Sequence, residues 1–170
     1  SALSVLAIVD VKQGNASAAR SRWVKAYPDL LASEPPQIDG SNYFRAVHLA
    51  SILQETGEVE RAVQLLDGSA RAIRRMTRLG VGGYGIADVQ IHALRGDTAK
   101  ALAALQEAAR AGWRGPFWRY FRDLDPALAA IRNEPEFKAV FADIERDMVR
   151  QRAELAKRSK DAPLDLDPAG

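Results

Sequence analysis

The chain has 170 residues, 47% of them apolar, with 24 basic and 22 acidic side chains and a formal net charge of +2. That length supports one domain with a sizeable core, and so small a net charge does not by itself imply a polyanionic partner. The absence of cysteine excludes a disulfide framework or thiolate zinc site, His48 and His92 are the only imidazoles, and no run of about eighteen apolar residues is present to cross a bilayer.

The opening residues lack the basic start and small-residue cleavage site of a signal peptide. Leu3, Val5, Leu6, Ile8, Val9 and Val11 place apolar side chains on nearly every face of a helix from Ala2 to Gln13. That pattern predicts burial on more than one side, and with it a further helix upstream in a longer parent protein. Gly14 stops the helix, and Asn15 reads as the N-cap of the next. The second helix carries Ala18, Ala19, Trp23, Ala26 and Tyr27 on one stripe, with Pro28 in its last turn. Residues 33–40, centred on Pro35 and Pro36, read as a loop.

Helix resumes near Asn42, with Phe44, Val47, Leu49, Ala50, Ile52 and Leu53 forming the apolar face up to Gly57. Its partner from Val59 uses Ala62, Val63, Leu65, Leu66, Ala70 and Ile73. The run Gly80 to Gly85 breaks helicity. A phosphate loop there would follow a strand and end on a Lys-Ser/Thr pair, and neither is present, so an inter-helix loop is expected. Ile86, Val89, Ile91 and Leu94 then open a third pair, which Ala101, Leu102, Leu105, Ala108 and Ala109 complete beyond Gly96.

The bends share a pattern. Glycines at 14, 57 and 96 are each followed by a polar residue and, five positions on, by Ala19, Ala62 and Ala101. A glycine between two apolar helices ends the first in a left-handed backbone, and the alanine lets the second helix pack closely. The glycines recur about every 40 residues, a period typical of helical arrays. Together with the small residues Ala7 and Ala50, and Trp23, Leu66 and Leu105 four positions after each alanine, this pattern resembles the tetratricopeptide repeat; Val89 stands where the third unit would have a small residue. The ending, with Gly112-Trp113, the aromatic run Phe117-Trp118 to Tyr120-Phe121, Asp125-Pro126-Ala127-Leu128 and Pro135-Glu136-Phe137, is similar to that of tetratricopeptide regions in bacterial membrane-anchored winged-helix regulators and class III adenylate cyclases.

The resemblance implies an all-α, right-handed superhelix of antiparallel hairpins over residues 1–158, closed by a C-terminal capping helix pair, with a mobile polar tail over 159–170. Asp125 with Pro126 starts a short helix carrying Leu128 and Ile131. Pro135 starts a long one with Phe137, Val140, Phe141, Ile144, Met148 and Leu155 on one stripe. Trp113, Trp118, Tyr120 and Phe121 are expected to form the seam between the third hairpin and the cap. Such arrays bind protein or peptide segments in a groove lined by the first helix of each pair. Carried onto this chain, the groove positions are Lys12, His48, Ser51, Gln54, Glu55 and Gln90. Arg71, Arg74, Arg75 and Arg78 share one helix flank and form a candidate anion patch, although cations are favoured near a helix C-terminus in any case.

No Gly-x-Ser-x-Gly elbow, metal-binding histidine pair, cofactor motif or stacking platform for single-stranded nucleic acid is found. Asp123 and Asp125 lie too close to a helix cap to serve as an acid pair. The expectation is a non-catalytic interaction or regulatory module from a larger bacterial signalling protein. The alternative is a domain that senses a small ligand or signal.

Overall fold

A computed structural model describes residues 2–76 and 85–157. The described residues form α-helices joined by turns and two 3₁₀ segments, with no strand among them. The helices are α1 (Ala2–Lys12), α2 (Ala16–Ala26), α3 (Tyr43–Glu55), α4 (Val59–Arg74), α5 (Gly85–Leu94), α6 (Thr98–Arg110), α7 (Trp118–Asp123) and α8 (Pro135–Lys157). The 3₁₀ segments are Pro28–Leu31 and Pro126–Ile131.

Each predicted bend is made in the same way. Gly14, Gly57 and Gly96 have φ of +75°, +82° and +75°, a backbone region that costs any other L-residue steric strain. The left-handed glycine turns the chain so that two orphan carbonyls at the helix end are satisfied. At the second bend, Gly57 N–H donates to Gln54 O at 3.1 Å and Glu58 N–H to Leu53 O at 2.8 Å; at the third, Gly96 N–H reaches Ala93 O and Asp97 N–H reaches His92 O. Gly112 repeats the device at the end of α6, with φ +89°.

The packing follows from these bends. α1 pairs with α2, α3 with α4 and α5 with α6, while α2 meets α3 and α4 meets α5, so consecutive pairs stack in chain order. Ala19, Ala62 and Ala101 are completely buried, as are Leu66 and Leu105. One apolar cluster gathers Trp23, Leu30, Val47, Leu53, Leu65 and Ile91; a second gathers Trp113, Trp118, Phe121, Leu128, Phe137 and Phe141. Phe44 packs against both. The aromatic seam is present: Trp113 lies edge-on to Phe121 at 5.6 Å and to Phe141 at 6.3 Å.

Several details differ from the sequence reading. α1 buries one face, through Ala7, Ile8 and Asp10, while Val5, Leu6 and Val9 are 58%, 47% and 42% exposed. The described residues therefore cover one face of α1 and leave its other apolar side chains uncovered. α2 ends at Ala26, and Pro28 opens a 3₁₀ turn rather than completing the helix. Neither Asn15 nor Glu58 caps a helix with its side chain, whereas Asp97 accepts the Lys100 N–H. Glu58 is drawn away by Arg20, which grips it with Nε and, at 2.8 Å, with the second guanidinium nitrogen. The segment after Pro126 is 3₁₀, and Leu155 on α8 is exposed. The glycine run from 80 to 84 and the tail over 159–170 lie outside the described residues.

Candidate functional site

The surface of α5 is covered in part by a later segment of the chain. The 3₁₀ segment Pro126–Ile131 packs on α5 and touches α3 and α6. Leu128 and Ile131 are completely buried there, worth roughly 1.5–3 kcal/mol each in apolar transfer. Asp125 sets the start of the segment. Its Oδ1 accepts the Ala127 N–H at 3.0 Å, and Pro126 occupies a first-turn position that needs no amide donor. Arg132 holds the same corner from behind, donating to the Asp125 carbonyl at 2.5 Å and to the Arg122 carbonyl at 2.8 Å.

Six groove positions were expected, and the structure places them in different surroundings. Gln90 is completely buried, and its side-chain amide donates to Asp125 Oδ2 at 2.6 Å. It meets the chain's own cap, so in this conformation it is closed to any external partner. Ser51 is also buried. Gln54 is half-buried and donates to the Leu94 carbonyl at 2.8 Å, joining α3 to the end of α5. His48 is half-buried against two rings, at 4.9 Å from Phe44 and 5.6 Å from Trp23. Lys12 and Glu55 are exposed.

The electrostatics at the closed end of this face are those of desolvated groups. Burial pushes the Asp125 carboxyl above its usual range, opposed by nearby His48 and by the Gln90 hydrogen bond. Burial lowers His48 and favours the neutral ring, opposed by the charge of Asp125. Tyr120 is raised, first by burial and then by Asp125. The Asp125 charge thus acts on both His48, from α3, and Tyr120, from α7, and the three form one cluster.

A small, partly open space of about 20 Å³ adjoins the cluster, lined by Trp23, His48, Ser51 and Tyr120 among apolar neighbours. A wider concavity lies elsewhere, about 450 Å³ between α6 and α8, lined by Ala109, Val140 and Ile144 together with the charged Arg110, Arg114, Glu136 and Asp143. Arg114 is engaged there, donating to Asp147 at 2.8 Å.

Arg71, Arg74 and Arg75 are exposed at the end of α4, and Arg78 lies outside the described residues. No group of three or more potential metal ligands occurs among the described residues, and no described helix is long and apolar enough to cross a membrane. The sequence reading missed Trp23, Tyr120 and Asp125 as members of the inner cluster. The Asp-Pro pair marked a helix start, but nothing local indicated which surface that start would meet. No family model, curated protein or solved structure matches this chain, so its function has to be argued from the geometry above.

Proposed function

We propose that the chain is a non-catalytic protein-interaction module of tetratricopeptide type, a right-handed array whose first helices form a face for a partner segment. One observation carries the reading. A short, proline-led segment of the chain itself, Pro126–Ile131, lies on that face with its two large apolar side chains fully buried and its leading carboxylate held by Gln90. A surface that binds one such segment within the molecule has the chemistry to bind another on its uncovered part. That part is the α1 end, where Val5, Leu6 and Val9 are exposed on the same helix as Lys12, with Glu55 exposed at the end of α3.

The test is selection from a displayed library of twelve-residue peptides, followed by affinity measurement on Lys12→Glu with Glu55→Lys. The reading expects selected peptides to lose at least tenfold in affinity with this pair of changes and to keep it when Arg71, Arg74 and Arg75 are replaced by alanine. Unchanged affinity in the charge-reversed protein would remove the face from consideration.

A second reading, a sensor of small ligands, has the α6–α8 concavity in its favour, since about 450 Å³ falls within the usual range for ligand pockets. Thermal stabilisation by nucleotides or metabolites, lost in Arg110→Ala, would favour it over the first.

A further inference from the structure

We propose that the small space between Trp23, His48, Ser51 and Tyr120 is a binding site for one water molecule, which ties the cap to the first two hairpins. Two observations converge on it. The space measures about 20 Å³, enough to hold a single water. Two of the side chains lining it carry buried polar atoms with no partner in the protein: the Trp23 indole Nε1, on a residue 2% exposed, and the Tyr120 hydroxyl. Buried polar groups without a protein partner are commonly satisfied by internal water.

The hydrogen-bond arithmetic closes. Trp23 Nε1–H is a donor only, and Tyr120 O–H can donate, so both can feed the two lone pairs of the water oxygen. The two water hydrogens then need acceptors. The Ser51 hydroxyl oxygen is one. The other is the unprotonated nitrogen of His48, which burial keeps neutral. Ala7, Ile8, Val11, Ile52 and Pro126 complete the wall around these four residues. The water joins α2 (Trp23), α3 (His48 and Ser51) and α7 (Tyr120), so it fastens the cap across the first two hairpins.

The experiment uses the full chain labelled with ¹⁵N. A long-lived water should give the Trp23 indole proton a cross-relaxation peak at the water frequency with the sign of a slowly tumbling complex, while Trp113 and Trp118 serve as internal comparisons. Tyr120→Phe should abolish or weaken the peak at least threefold and lower the melting temperature by several degrees, with unchanged helical circular dichroism. If Tyr120→Phe does not fold, Ser51→Ala is read the same way. Absence of the peak in the folded wild-type chain, or an unchanged peak and melting temperature in the folded variant, would overturn the assignment.

Discussion

Gln90 and Asp125 meet amide to carboxylate at 2.6 Å, with both residues completely buried. The bond links the first helix of the third hairpin to a segment that begins 35 positions later. It turns the apolar seating of Leu128 and Ile131 into a fixed register, because Asp125 uses its other oxygen to start the 3₁₀ turn that presents them. The cap is thereby part of the folded array.

Replacing Leu128 by alanine should therefore cost about 2–5 kcal/mol, the range for a buried leucine truncated to alanine. Urea unfolding followed by circular dichroism checks it. A loss below about 1 kcal/mol would place Leu128 at a site that collapses freely or is exposed, contrary to its complete burial.

The bends give a cleaner contrast, because a Cβ added at Gly57 would meet nothing within 4 Å. Any cost of Gly57→Ala then comes from its φ of +82° alone, and about 1–2 kcal/mol is expected. Gly57→Asn should recover part of that, since asparagine tolerates the left-handed region better. Gly68→Ala should also destabilise, for a different reason. It sits inside α4, where a Cβ would lie 2.7 Å from Ile38 Cγ1, and asparagine there should be worse than alanine.

Acid should act through His48 and Asp125 in opposite directions. The folded pKa of His48 is lowered, chiefly by burial, from 6.5. As pH falls below 6.5 the unfolded chain takes up a proton that the folded one resists, so this contribution is present above 6.5 and lost towards the folded value. The folded pKa of Asp125 is raised from 3.8, again chiefly by burial. Its contribution is present below 3.8 and lost as pH rises through the folded value. Titrating the His48 ring protons by NMR should give a midpoint below 6.5, and His48→Phe should flatten the decline in stability between neutral pH and about pH 5. A midpoint at or above 6.5 would mean that the ring is solvated or that the Asp125 charge outweighs burial.

What could be read from the sequence was what local chemistry decides. Gly57 followed by Ala62 encodes a bend and a close helix contact within a few residues, and both are present. Asp125 with Pro126 encodes a helix start, and the carboxylate does accept the Ala127 N–H. Contacts between distant segments could not be read this way. Gln90 and His48, polar residues among apolar neighbours on their helices, resembled contacts awaiting a partner. Gln90 instead bonds Asp125 of the cap, and His48 lies against Trp23 and within reach of the Asp125 charge, contacts that no local spacing reveals. Glu58, the polar residue after Gly57, is similar: its side chain does not cap α4 but takes a charge-assisted bond from Arg20 of the preceding hairpin. On α1, Val5, Leu6 and Val9 have the same character as Ile8, and the described residues cover only the Ile8 side.

The most direct test of the account is a double-mutant cycle on the pair that joins array to cap, comparing Gln90→Ala, Asp125→Ala and the combination by urea unfolding at neutral pH. A buried hydrogen bond of this kind predicts a coupling of about 1–3 kcal/mol, with Asp125→Ala the costlier single change because it also removes a cap. Additive losses, agreeing within about 0.5 kcal/mol, would mean that the two side chains do not meet and that Pro126–Ile131 does not rest on α5 as described.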